Sequence, residues 1–227
     1  MIRAVLFDMD GLIVDTEPIH FMAFRGMMRE YGYEIDDSLM PSFIGFPEAD
    51  NIRDLKRIYS LEAPAEEMAK RRYGLFMKLI RVERFDVFPG FWELSEEVRR
   101  RGLKQAVVSS STAEQMEVIL GRLFETRPEL GGPQSYFDAI VTGDDIANNK
   151  PAPDIYIHAA ERLQVAPPEC LVFEDTPPGV QAAANAGMRA IAVPNEYSKT
   201  LEFPGAHAVL GGLCDAIRYL DAEDPAA

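Results

Sequence analysis

The chain has 227 residues, 47% of them hydrophobic, enough to bury a sizeable core in one large domain or two modest ones. Its net charge of -14 and lack of a dense basic cluster argue against a nucleic-acid footprint, and no segment approaches the roughly 20 apolar residues of a membrane span. Cys170 and Cys214 lack C-x-x-C spacing, so neither a disulfide framework nor a thiolate metal site is indicated, and the expected location is the cytoplasm.

Ala4 to Phe7 is a short apolar run that ends abruptly in Asp8; a second acid, Asp10, follows, and Gly11 frees the backbone to turn. The same acids interrupt the apolar run that a signal peptide would need. In an open α/β sheet, ligands bind beyond the carboxyl ends of the strands, so acids placed there read as chemistry. Residues 16–84 then show helical periodicity and few strand signals. Helices are expected from His20 to Tyr31, from Pro47 to about Tyr59 and from Pro64 to about Arg81, with a short segment at Leu39–Ile44. The Met-rich stretch Phe21–Met28 reads as core of this insert, and the run Lys70-Arg71-Arg72 as a solvated helix face. Phe85 to Gly90 is a turn-like exit, so the expected division is 1–15 with 85–227 against a helical insert at 16–84. The insert holds 11 bases and 12 acids, the remainder 12 bases and 25 acids. A body that acidic needs local positive charge or metal ions if it handles anions.

From Phe91 onwards strands and helices alternate. A helix from Trp92 to Arg101 precedes the strand Ala106–Val108, which runs into Ser109-Ser-Ser-Thr112. Ser111 with Glu114 fits a capping box for the next helix, to about Leu123, and the Gly- and Pro-bearing segment 125–135 reads as a surface loop. Strand Ala139–Thr142 ends in Gly143-Asp144-Asp145, and a helix from about Pro153 to Leu163 follows Lys150. Strand Cys170–Phe173 ends in Glu174 and Asp175; Thr176 is the expected N-cap of a helix closed by Gly187. Ala190–Val193, Ala208–Leu210 and a terminal helix Leu213–Leu220 complete an α/β, doubly wound, Rossmann-like parallel sheet core with an inserted α-helical domain.

Four strand ends thus carry polar residues: Asp8 with Asp10, Ser109, Asp144, and Glu174 with Asp175. Carboxylates packed together repel unless a cation joins them, and oxygen-only ligands suit a hard divalent ion such as Mg2+. Lys150 supplies a second positive charge, and the Ser109 hydroxyl and the Ser110 amide beside a helix N-terminus suit an anion. This combination fits phosphoryl transfer, where catalysis is mainly positioning and charge neutralisation. No Gly-rich P-loop is present.

The segments Asp8-Met-Asp-Gly-Leu-Ile-Val-Asp-Thr16, Val108-Ser109, Lys150-Pro-Ala-Pro-Asp-Ile-Tyr156 and Val172-Phe-Glu-Asp-Thr-Pro-Pro-Gly-Val-Gln-Ala-Ala-Ala-Asn-Ala-Gly187 resemble the four motifs of the haloacid-dehalogenase superfamily, in its phosphatase and phosphomutase branch with a small helical cap. The resemblance implies Asp8 as a nucleophile that forms an aspartyl-phosphate and Asp10 as general acid, then base. It implies Ser109, Ser110 and Lys150 as phosphate ligands. It places Mg2+ on Asp8, the Asp10 carbonyl and Asp175, with Glu174 assisting directly or through water. Asp10 favours phosphate chemistry over dehalogenation. In the insert, Asp15 and Thr16 read as a helix cap or part of a hinge, and His20 as a hydrogen-bonded structural residue or a substrate contact. Lys78 is a candidate for reaching inward. Asp144 and Asp145 read as groups that assist the metal from behind its ligands or as balance for Lys150. The loop Ile44-Gly45-Phe46-Pro47-Glu48 holds no base for a second phosphate, and Phe46 offers an apolar contact. The expected activity is therefore a phosphatase for a small phosphorylated metabolite, of sugar- or polyol-phosphate type. A phosphomutase resembling β-phosphoglucomutase and a non-catalytic binding protein on the same scaffold are the alternatives. Monomer and homodimer remain equally compatible with the sequence.

Overall fold

The computed structural model describes residues 1–36, 38–39, 43 and 48–221. Two compact units emerge, Thr16–Asp86 and Met1–Asp15 with Val87–Ala227. In chain order, β1 (Ala4–Phe7) is followed by α1 (Glu17–Glu30), α2 (Glu48–Tyr59) and α3 (Ala65–Leu79) of the first-named, helical unit. Then come α4 (Phe91–Arg100), β2 (Lys104–Val108), α5 (Ala113–Glu125), α6 (Pro133–Tyr136), β3 (Ala139–Val141) and α7 (Asp154–Leu163). The chain continues with β4 (Cys170–Glu174), α8 (Pro177–Asn185), β5 (Arg189–Ala192) and β6 (Ala208–Val209).

The six strands pair in parallel in the order β3-β2-β1-β4-β5-β6. Parallel strands covered on both faces need unbroken apolar runs, and β1 (AVLF) is buried at every position. Successive crossovers proceed outward from β1 in one direction and, from β4, in the other, so the switch in order lies between β1 and β4. The register sets Phe7 opposite both Phe173 and Val107, which brings the strand ends level. Phe7 stacks on Phe173 at 5.9 Å and meets Phe91 edge-on at 5.6 Å, packing that holds this register.

The helical unit has its own core: Phe21, Phe24, Met27 and Met28 of α1 pack with Ile52 and Leu55 of α2 and Met68 of α3. The Met-rich stretch is therefore core, as its composition predicts. Among the described residues no helix is long and apolar enough to cross a membrane.

Several local expectations change. Helix α1 starts at Glu17, earlier than His20, because Pro18 near its first turn suits a helix start and the Thr16 carbonyl accepts from the amides of Ile19 and His20. The capping box of α5 is Thr112 with Gln115, not Ser111 with Glu114, and the Ser111 hydroxyl is used elsewhere. The 125–135 segment stays at the surface but is not all loop: Pro128 opens a 3-10 turn and Pro133 opens α6, which buries only Tyr136, just beyond the segment, with Phe137 against Phe124. The terminal segment Leu213–Leu220 is a 3-10 helix instead of an α-helix; its buried residues Leu213, Ala216 and Tyr219 recur every third position, the 3-10 period. Arg72 leaves the solvated face: Met68, Arg72 and Phe76 form one buried stripe four residues apart on α3, while Lys70 and Arg71 are exposed.

Candidate active site

The level strand ends carry the chemistry. Immediately after β1, the amides of Leu12, Ile13 and Val14 all donate to the Met9 carbonyl, and Gly11 sits at φ +81° in the middle of this tight turn. A side chain at Gly11 would collide with Asp175, its ideal Cβ lying 2.2 Å from Asp175 Oδ2, so the turn must approach this carboxylate with bare backbone.

Asp8, Glu174 and Asp175 are all buried, and each offers an oxygen within 4.8 Å of the others. Lys150, from the loop after β3, reaches into this cluster. Its Nζ donates to Asp8 Oδ1 at 2.5 Å and to Glu174 Oε1 at 2.6 Å. The same Glu174 oxygen accepts from the Tyr156 hydroxyl at 2.6 Å, and Glu174 Oε2 accepts from the Thr176 amide at 3.4 Å and hydroxyl at 3.2 Å. Thr176 also caps α8 by accepting from Gly179 N, as predicted.

Asp10 has a different setting. Its Oδ2 accepts from the hydroxyls of Ser109 at 3.0 Å and Ser111 at 2.8 Å. Ser109 Oγ in turn accepts from the Ser111 amide at 3.0 Å, so the turn after β2 fixes the orientation of the Asp10 carboxylate. Asp175 Oδ2 accepts from Asn195 Nδ2 at 2.9 Å, and the same amide group donates to the Gly11 carbonyl at 2.9 Å. Asn195 thereby ties the turn after β1 to the ends of β4 and β5.

Electrostatics follow from this crowding. Burial pushes the Asp8 carboxyl well above its ordinary range; Lys150 opposes the rise, while Glu174 and Asp10 add to it. Burial alone would depress the Lys150 ammonium, but the Asp8 and Glu174 carboxylates outweigh it and hold the pKa above the usual lysine value. Burial, with Glu174 next, raises the Tyr156 phenol well above its ordinary value, so it remains a donor. Among the described residues, the carboxylates of Asp8, Glu174 and Asp175 thus cluster together, with the Lys150 ammonium on the first two. The donor set is all oxygen, compact and short of positive charge, and therefore fits a hard divalent cation.

The structure brings together Asp8, Asp10, Ser109, Lys150, Glu174 and Asp175. Ser110 lies in the same turn with an exposed side chain. Asp144 and Asp145 do not join the cluster through their carboxylates. Asp144 accepts from the Ala113 amide, and Asp145 accepts from the amide and hydroxyl of Thr142. In the helical unit, Arg72 donates to Glu48 at 2.7 Å and also to His20 Nδ1. Because arginine has no acceptor, His20 takes this bond through a ring lone pair, and the ring stacks on Phe76 at 4.1 Å. Lys78 is exposed and, with Glu30, Tyr31, Glu67, Lys70 and Arg71, lines a cavity of 520 Å³ within that unit. Gly45 and Phe46 lie outside the described residues. Ser111 was legible only as a helix cap, Tyr156 only as the end of a motif and Asn195 not at all; Asn195 stands three residues beyond β5, further from its strand end than Ser109 or Asp175.

The family described as haloacid dehalogenase-like hydrolase matches residues 5–193. A phosphorylated carbohydrates phosphatase from Thermotoga maritima is 34% identical over 193 residues, 83% of each chain. The fructose-1-phosphate phosphatase YqaB from Escherichia coli is 31% identical, covering 83% of this chain and 95% of that one. Among solved structures, a CbbY variant from Rhodobacter sphaeroides in complex with xylulose-(1,5)bisphosphate superposes with a TM-score of 0.79 at 28% identity, over 95% of this chain and 96% of the other. With its doubly wound sheet and the Asp8–Lys150–Asp175 cluster at the switch in strand order, the chain belongs to the haloacid dehalogenase-like hydrolases.

Proposed function

We propose that this chain is a Mg2+-dependent phosphatase for a small phosphomonoester, of sugar- or polyol-phosphate type, working through an aspartyl-phosphate on Asp8. The observation that carries the reading is the Lys150 ammonium shared between Asp8 and Glu174, beside the Asp175 carboxylate. Asp8 and Asp175, with the Asp10 backbone carbonyl and Glu174 directly or through water, would hold the cation. When bound, Mg2+ supplies the positive charge that keeps Asp8 ionised and offsets the charge of the phosphoryl oxygens.

In the first step an Asp8 carboxylate oxygen attacks phosphorus, the bond to the leaving oxygen breaks, and Asp10 protonates that oxygen. In the second, water attacks the same phosphorus and gives its proton to Asp10. The acyl-phosphate P–O bond then breaks, releasing inorganic phosphate and restoring Asp8. Covalent capture divides one hard displacement into two easier ones. Lys150, the Ser109 hydroxyl and the Ser110 amide hold the transferring phosphoryl oxygens. The helical unit is assigned the role of a cap that selects the leaving group. The sugar-phosphate class is supported by the names of the Thermotoga and Escherichia relatives and by the bisphosphate bound to CbbY.

A panel of phosphomonoesters, run with and without Mg2+ and scored for both phosphate and isomerised sugar phosphate, tests this. Mg2+-dependent phosphate release that Asp8→Asn abolishes is expected. Turnover retained by the folded Asp8→Asn protein would overturn the nucleophile assignment, and isomer formed without phosphate release would assign a phosphomutase.

A further inference from the structure

Tyr156 is fully buried in the sheet core, where a phenylalanine would fill the same space without a hydroxyl to desolvate. Its hydroxyl does not seek a backbone carbonyl. It donates to Glu174 Oε1 at 2.6 Å, the same oxygen that accepts from Lys150 Nζ, while the face of its ring lies 5.2 Å from that ammonium. One side chain therefore touches both members of an ion pair whose cation is shared with Asp8. The other Glu174 oxygen is held by Thr176, so the carboxylate is gripped from two sides. Without the hydroxyl, Lys150 is the one donor left on Oε1 among the described residues, and the carboxylate draws the ammonium away from Asp8.

We infer that Tyr156 is a positioning residue for phosphoryl transfer: its hydroxyl holds Glu174 so that the Lys150 ammonium stays shared with Asp8. The inference rests on the phosphatase reading above, because only there does the place of the ammonium beside Asp8 set a rate. Tyr156 does not touch the reacting atoms; it acts through Glu174 and Lys150.

The test compares wild type with Tyr156→Phe on the phosphomonoester that the panel identifies, with orthovanadate as a competitive probe and a thermal melt alongside. Loss of a hydrogen bond to a charged group predicts that kcat falls about tenfold with KM within about twofold, and that the orthovanadate Ki rises about tenfold. A merely structural role would lower the folded fraction, reducing kcat while leaving Ki and KM unchanged, and that result would overturn the inference. So would a kcat within twofold of wild type. If the phenylalanine variant melts early, the orthovanadate Ki measured below its melting temperature still decides, because it does not depend on the fraction of molecules folded; an unchanged Ki there overturns the inference. Wild-type protein inactive across the whole panel would instead sink the phosphatase reading, and this inference with it.

Discussion

A methyl group added at Gly179 would fall 1.9 Å from Glu174 Oε1, with the other carboxylate oxygen 2.1 Å away. Glu174 is fully buried and held by Lys150, Tyr156 and Thr176, so it cannot swing aside as a surface side chain would. Gly179→Ala must therefore move the first turn of α8 or break the Glu174 network, an overpacking cost of about 1–3 kcal/mol. Urea unfolding should show that loss, and kcat should fall with it because the displaced carboxylate is the partner of Lys150. Unchanged midpoint and turnover would show that the backbone yields freely here. At this scale much of the site was legible: Asp8, Asp10, Ser109, Lys150, Glu174 and Asp175 each stand at or just beyond a strand end, or in the loop that follows one. Tyr156 was legible only as the last residue of a motif, and only the fold shows that its hydroxyl meets Glu174. Arg72 was hidden by its neighbours. Lys70 and Arg71 are exposed, and a run of three bases gives no sign that the third turns into the Met68–Phe76 stripe.

Among the elements, α4 carries the clearest electrostatic device. Half-buried Glu97 accepts from Arg100 through both oxygens, each at 2.6 Å, and from Arg101 Nε at 2.7 Å, while Arg101 also reaches Asp221 just past the terminal 3-10 helix. The hydrogen bonds from Arg100 and then Arg101 lower the Glu97 carboxyl from its ordinary 4.5 to about 2. A folded-state pKa below the unfolded one stabilises the protein above the unfolded value, and the gain is lost as pH falls through the window from about 4.5 to about 2. The difference in urea midpoint between wild type and Glu97→Gln should thus be constant near neutral pH and shrink steadily below about pH 4.5. A difference independent of pH down to about pH 3 would assign the effect to packing instead. Element boundaries were legible wherever glycine or proline punctuates the chain, as at Pro177 and Gly187 of α8. Capping at α5 was not, since Ser111–Glu114 and Thr112–Gln115 fit the same spacing. What decides between them is tertiary: Asp10 takes the Ser111 hydroxyl, leaving Thr112 to cap.

Across the whole molecule charge is unevenly divided. The helical unit, Thr16–Asp86, holds 11 bases and 13 acids, and the sheet-bearing unit holds 12 bases and 24 acids. The sheet unit also clusters Asp8, Glu174 and Asp175 at the site, so the phosphomonoester dianion of the proposed reaction would approach a body of its own sign. In the proposed reaction Lys150 and a divalent cation would neutralise the dianion over the last few ångströms, but charges further out act over a Debye length of about 8 Å at physiological ionic strength. Salt therefore acts unequally at the two ranges: it screens the long-range repulsion strongly and the buried contacts weakly. With Mg2+ held at saturation, raising NaCl from about 20 to about 200 mM should increase kcat/KM, by about twofold, while kcat stays nearly constant, because only the encounter is affected. An enzyme that steers anions by a positive surface field behaves in the opposite way, losing kcat/KM as salt rises. Steady-state kinetics across that range separate the two cases, and a falling kcat/KM would mean that basic residues near the site, not the acidic body, set the field the substrate meets.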